Sequence, residues 1–176
     1  MLVQSRALVI GVSAAEQGED ASVRRIEDSS ECLITFNVMP ERGVTEELRI
    51  REFRVGPKWI EAEFDRTYST SMLNSPSHLT FVSALIQMQK VTYVYACHRF
   101  GFDPDVRKQE VLKIWPTDLS IGMRELVRED QKLVHRMDVK GFRKLEPRKF
   151  LATATSRIGA LQIDGSALIM LLRDPC

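Results

Sequence analysis

Three polar side chains, His78, Gln89 and Tyr93, interrupt a stretch of the chain that is otherwise almost free of charge. If that stretch is helical, with about 100° per residue, they fall within roughly 60° of one another on a stripe shared with Val82, Leu85 and Ala96. Three hydrogen-bonding groups along an otherwise apolar stripe suit the wall of a binding channel. Thr80 falls on the opposite side and could join them only through the exposed end of the first turn. Each group also has a plain structural alternative: His78 as a helix cap or a satisfied core histidine, Gln89 bonded to a strand, Tyr93 in the core. No Asp or Glu occurs on the stretch, which counts against a strong general base within it. Cys97 has no activating constellation around it and is not expected to be a nucleophile. A second group is basic. Arg143, Lys144, Arg148 and Lys149 flank Pro147, with Arg136 and Lys140 just before. They read either as a solvated charge cluster or as a site for an anionic partner.

The rest of the composition limits what these groups can be part of. The chain has 176 residues, 44% hydrophobic and 28% charged, which suits one soluble globular domain with a real core. A net charge of +1 gives no overall field for nucleic acid or a membrane surface. The three cysteines, Cys32, Cys97 and Cys176, are far apart, and only three histidines are present. A structural metal site or a disulfide framework is therefore not expected, and a reducing cytoplasm fits best. Residues 7–12 are too short an apolar run for a convincing signal peptide, and no stretch reaches the ~20 apolar residues that span a bilayer.

The elements that must position the polar stripe follow from pattern. Residues 16–31 are polar and read as a mobile lead-in; residues 1–31 form a partly flexible segment, and 32–176 one domain. Residues 33–38 look like a strand, and residues 48–55 and 59–64 alternate apolar with charged around a Gly56-Pro57 turn. Ser75 and Pro76 suit an N-cap and first helical position, and residues 77–99 hold no Pro or Gly, with Lys90 the sole Lys, Arg, Asp or Glu before Arg99. His98, Arg99 and Gly101 supply the end of a helix of some six turns. Apolar residues surround most of its circumference, with a mild polar strip of Thr80, Ser83, Gln87 and Lys90, so it must be covered on most sides. Five further strands are expected, at residues 110–115, 120–128, 132–139, 149–156 and 166–172, with turns at Pro116, 129–130, 146–147 and 159–165. One buried helix followed by an antiparallel run gives an α+β class, a sheet curled around a helix.

That order of elements resembles the hotdog fold. Within it, residues 74–93 (NSPSHLTFVSALIQMQKVTY) and 142–150 (FRKLEPRKF) are similar to the helix and a later segment of the long-chain acyl-CoA thioesterases of FcoT type. A more distant likeness is to A-factor-type hotdog domains. The family resemblance implies an acyl thioester held beside the helix N-terminus, whose backbone N–H groups serve as an oxyanion hole, across a homodimer or higher oligomer. Carried over by position, Tyr93 keeps the family's Tyr, Gln89 and Thr80 stand where it has Asn, Met72 replaces a Tyr, and His78 is shared. This implies catalytic roles for Gln89, Tyr93, His78 and Thr80. Substrate contacts fall to Asn74, Ser75, Val82 and Leu85, and Arg143, Lys144, Arg148 and Lys149 would meet coenzyme A phosphates or an acyl carrier protein. The expectation is hydrolysis of a medium- or long-chain acyl thioester in lipid metabolism, with no cofactor, metal or nucleic acid. The alternatives are a dehydratase or acyltransferase using His78 with Asp65 or Asp103, and a non-enzymatic acyl-binding protein.

Overall fold

The computed structural model describes residues 22–25, 44–70, 80–104, 111–127 and 133–174. Each strand in it alternates as its sequence does. Ile60, Ala62 and Phe64 are buried while Glu61 and Glu63 face outward, and Leu133, His135, Met137 and Val139 are buried with exposed or half-buried residues between them. The strands are β1 (Ser22–Arg25), β2 (Val44–Gly56), β3 (Trp59–Thr70), β4 (Leu112–Met123), β5 (Leu133–Glu146), β6 (Lys149–Ile158) and β7 (Leu161–Leu171). They form one antiparallel sheet in the order β1-β2-β3-β5-β6-β7-β4.

Short turns join β2 to β3, β5 to β6 and β6 to β7, and the chain crosses the sheet from β3 to β4 and back from β4 to β5. The first crossing is the longer. It is made by the helix α1 (Phe81–Phe100), which leaves β3 and returns to β4 at the far edge. A helix spanning the sheet this way must lie on its inner face. Ser83, Ala84, Gln87, Val91, Thr92, Val94, Tyr95, Ala96 and Cys97 are buried there. This is the hotdog arrangement, α+β. The outer face is charged: Arg51 pairs with Glu63, Arg54 with Glu61, and Arg136 and Arg157 with Asp138 at 3.0 and 3.3 Å. Such exposed pairs contribute roughly 0–1 kcal/mol each and mainly keep that face in water.

Four boundaries differ from the sequence expectation. The helix starts at Phe81, not at residue 77, because Thr80 is extended (ψ 160°) and its Oγ1 accepts the Ser83 N–H at 3.1 Å. That cap ends the non-helical backbone next to the apolar run; Ser75 and Pro76 lie outside the described residues. The strands expected at 110–115 and 120–128 are one strand, β4. Pro116 interrupts nothing there, because β4 is the sheet edge and a bulge at Pro116/Asp118 absorbs the missing donor. β5 runs on past Val139 to Glu146 through a bulge that keeps both Val139 and Phe142 inward. β7 starts at Leu161 because Gly159, with φ +56°, closes a tight turn to β6. Residues 22–25, expected within a mobile lead-in, pair with β2. The strand expected at 33–38 lies outside the described residues.

The helix end is as expected. Gly101 is left-handed (φ 74°), with its N–H on the His98 carbonyl at 3.2 Å and the Phe102 N–H on Cys97 at 2.8 Å, the Schellman pattern.

Candidate functional site

The inner face of the sheet is not filled evenly. On β6 the inward positions are Ala152, Ala154 and Ser156, and on β7 they include Gly165 and Ala167. Register places Ala154 opposite Gly165 and Ala152 opposite Ala167, so the small residues are side by side. Large side chains bound the gap: Ile158, Leu161 and Ile163 at one end, Ile169 and Leu171 at the other. The result is a cavity of about 200 Å³ between α1, β5, β6, β7 and β4. Gly165 also lets the edge strand close over it, since a Cβ there would sit 2.5 Å from the Asp118 carbonyl oxygen. Along the helix the cavity runs from Leu85 to Tyr95, a rise of about 15 Å.

The lining is apolar apart from a few groups, and most of those are engaged. Thr92 Oγ1 donates to the Met88 carbonyl at 2.8 Å and touches Met137 Sδ at 3.5 Å. Tyr95 donates to the Pro57 carbonyl at 2.8 Å, and burial raises its pKa, with Arg99 opposing. Gln89 is exposed and lines the cavity. Ser156 is different. It is 1% exposed, lines the cavity, and its Oγ has no hydrogen-bond partner among the described residues.

Two further side chains share that state. Gln87 and His135 are fully buried, and neither amide atom of Gln87 nor either ring nitrogen of His135 has a partner among the described residues. Burial pushes the His135 pKa down to about 3, so the ring is neutral near pH 7. Sequence reasoning missed all three. Gln87 falls in the mild polar strip with Thr80, Ser83 and Lys90, and neither His135 nor Ser156 stands out by residue type or spacing. The available signal was the period-2 pattern, which puts His135 in line with Leu133, Met137 and Val139, and Ser156 in line with Ala152 and Ala154.

The other predicted residues scatter. Leu85 lines the cavity. Val82 is 46% exposed beside Phe81, at 49%, forming an apolar rim at the helix start. Thr80 Oγ1 is occupied by the Ser83 N–H and hydroxyl, the latter at 2.7 Å. Tyr93 does not line the cavity; it is half-buried on the neighbouring side of the helix and hydrogen-bonds the Cys97 thiol. Burial drives that thiol up to about 12, which makes it inert as a nucleophile. His78, Asn74, Ser75 and Met72 lie outside the described residues.

The four cations sit at the opposite end. Phe142 and Phe150 pack on Phe100, with ring centroids 5.7 and 4.7 Å away, so the β5–β6 hairpin tip lies beside the helix C-terminus. That is about 30 Å from the helix start. Arg148 is held by Asp174 in two bonds, 3.0 and 2.6 Å, and Lys149 by Glu146 at 2.8 Å. Arg143 and Lys144 are exposed and make no ion pair with a described residue. No group of three or more His, Cys, Asp or Glu side chains that could hold a metal occurs among the described residues, and no described helix is long and apolar enough to cross a membrane.

No family model and no curated protein matches the chain. Solved structures do resemble it. A thioesterase from Haemophilus influenzae aligns with a TM-score of 0.43 and 12% identity over 72% of this chain and 80% of that one. A mutant thioesterase from Pseudomonas aeruginosa gives 0.41 and 6% over 76% and 85%. A 1,4-dihydroxy-2-naphthoyl-CoA thioesterase from Synechocystis gives 0.34 and 6% over 56% and 74%. These likenesses carry no residue role across, and the site rests on its own geometry.

Proposed function

We propose that the chain hydrolyses a medium- or long-chain acyl thioester, presented on coenzyme A or an acyl carrier protein, in fatty-acid or secondary-metabolite lipid metabolism. The observation that carries this reading is the underfilled apolar cavity running along one buried helix. An alkyl chain is the ligand that such a slot accepts without leaving polar groups unpaired. The thioester carbonyl then belongs near the helix start. Thr80 takes the N–H groups of Ser83 and Ala84, which leaves those of Phe81 and Val82 as the free donors of the first turn, aided by the dipole. Gln89, about 12 Å further along the cavity wall, is assigned to positioning water. His78, Asn74 and Ser75 are assigned to the rim that leads into the helix. Tyr93 serves here by holding Cys97 and the helix side, not by touching substrate.

A second copy of the chain is assigned to the β4 edge. This strand pairs only with β7 among the described residues, exposes Trp115 (42%) and Leu119 (36%), and contributes Pro116 and Leu119 to the cavity wall. Cysteine usage supports a cytoplasmic setting. The dehydratase alternative loses support, because Asp65 sits on the outer face near Arg51 (3.9 Å) and Asp103 is exposed beyond the helix end, neither at the cavity. The non-enzymatic acyl-binding reading is favoured by one observation: no carboxylate lines the cavity.

Release of free thiol from acyl-CoA substrates of increasing chain length tests the proposal. Turnover that rises with chain length and then falls supports it. Tight acyl binding without thiol release leaves the acyl-binding alternative, and sedimentation as a monomer at micromolar concentration removes the second copy.

A further inference from the structure

The cavity is apolar where a hydrocarbon chain needs it to be, yet its inner wall carries a buried hydroxyl with no partner among the described residues, at Ser156. One of the two other partnerless groups lies close to it. On the sheet, His135 pairs with Ile158 and Ser156 with Met137, so His135 and Ser156 are diagonal neighbours on adjacent strands, about 7–8 Å apart.

The helix can be placed against them by its contacts. Thr92 meets Met137, and further along Tyr95 reaches Pro57, next to Lys58, which binds the Val139 N–H. Moving from 92 to 95 on the helix thus matches moving from 137 to 139 on β5. In the other direction, Gln87 lies about 7.5 Å before Thr92, and His135 about 6.6 Å before Met137. Gln87 and His135 therefore share one level along the helix axis, with Gln87 about 140° round the helix from Thr92, and Ser156 lies at the next level, opposite Met137.

A buried hydroxyl left unpaired at a cavity wall is costly, and the His135 ring diagonal to it is unpaired as well, a cost that a ligand oxygen would relieve. We propose that Ser156, with His135 behind it, forms a polar subsite for an oxygen on the acyl chain. The substrate class is then an acyl thioester bearing a hydroxyl or keto group well along its chain. This rests on reading the cavity as an acyl channel. The position follows from level: Ser156 lies beside Thr92, about 15 Å along the helix from the free N–H of Val82, so the oxygen sits deep in the channel and far along the chain from the carbonyl. Ser156 can donate to a keto oxygen, and can donate to and accept from a hydroxyl.

Free acids separate this from hydrolysis. Displacement of cis-parinaric acid by octadecanoic acid and by its 10-hydroxy, 12-hydroxy and 12-oxo derivatives gives relative affinities for the whole chain. At least one oxygenated acid should bind roughly tenfold tighter than octadecanoic acid. Ser156→Ala should abolish that preference without lowering the melting temperature, and Ser156→Thr should retain it. Equal affinities for plain and oxygenated acids in the wild type overturn the subsite and leave the acyl channel standing. Early melting of Ser156→Ala also overturns it, because the hydroxyl would then have a structural partner. If none of the acids displaces the probe, the acyl channel fails and the subsite with it.

Discussion

The two halves of the sheet are packed by different rules. Under β2, β3 and the start of β5, the inward side chains are Ile50, Phe53, Val55, Ile60, Phe64 and Leu133, each at most 4% exposed, against the helix residues Val91 and Val94. Under β6 and β7 the same helix faces Ala152, Ala154, Ser156, Gly165 and Ala167. Both halves have the same strand pattern and the same partner, so the difference is side-chain volume alone. A sequence selected only for stability would fill the second half as it fills the first. The place where the core is thin is therefore the place to look for function, and the partnerless polar groups stand at the seam between the halves.

The seam gives the largest expected effect. His135 is neutral in the folded protein, with a pKa pushed by burial from 6.5 to about 3. Between those values the unfolded chain binds a proton that the folded chain refuses, so stability is complete above about pH 6.5 and falls as pH drops toward 3. Denaturant midpoints measured from pH 7 to pH 4 should decline, and His135→Phe should flatten the decline. A flat wild-type profile would mean that the ring is charged, or paired, inside the fold.

Next come substitutions that exchange the rules of the two halves. Ile60→Ala opens space in the filled half and should cost about 2–5 kcal/mol in denaturant unfolding, with acyl binding per folded molecule intact. Ala154→Leu fills the thin half. It should abolish binding of long acyl chains while costing less, roughly 1–3 kcal/mol, because empty volume is there to receive it. Were both variants to lose stability equally and bind normally, the thin half would be ordinary core.

How much of this the sequence shows depends on the kind of signal. The helix over most of its length and the inward faces of β2, β3 and β5 follow from period and charge. Those signals are local, and packing does not override them. The helix start, the unbroken β4 and the length of β5 do not follow. Thr80 caps α1, an edge position neutralises Pro116, and a bulge at Lys140 resets the alternation; each is decided by tertiary context. The site divides the same way. Gln89 and Leu85 reach the cavity as the stripe implies. Tyr93 does not, because a helical wheel gives direction but not the position of the wall, and here Thr92 and Tyr95 line the cavity while Tyr93 between them does not. Gln87 falls in the mild polar strip of the wheel, which does not show that the strip is fully covered there.

Gln89 offers a smaller and sharper test of the thin half. It is exposed and lines the cavity, so Gln89→Ala should leave the melting temperature unchanged and reduce turnover roughly tenfold, about 1.4 kcal/mol of barrier. Tyr93→Phe removes the bond to the Cys97 thiol and should do the reverse, lowering the melting point slightly with turnover intact. If both variants behave alike, the cavity boundary drawn between them is wrong.

The smallest effect is expected at the hairpin tip, where the thin half is closed by Phe100, Phe142 and Phe150. Of the four cations there, Arg148 and Lys149 are bound to Asp174 and Glu146, which leaves Arg143 and Lys144 to meet an anion. They lie about one helix length from the helix start of their own chain, too far to share its thioester directly. If they hold coenzyme A phosphates, they do so for the site of a second copy. Replacing both with Ala should then raise KM for acyl-CoA a few-fold at low salt, with kcat unchanged, and the difference should vanish near 1 M salt, where screening acts over about 3 Å. Under the same substitution, KM for an acyl thioester that lacks the nucleotide should not move. A KM that is indifferent to the substitution at low salt would make the tip a solvated charge cluster, and the whole of substrate recognition would fall to the thin half and the helix start.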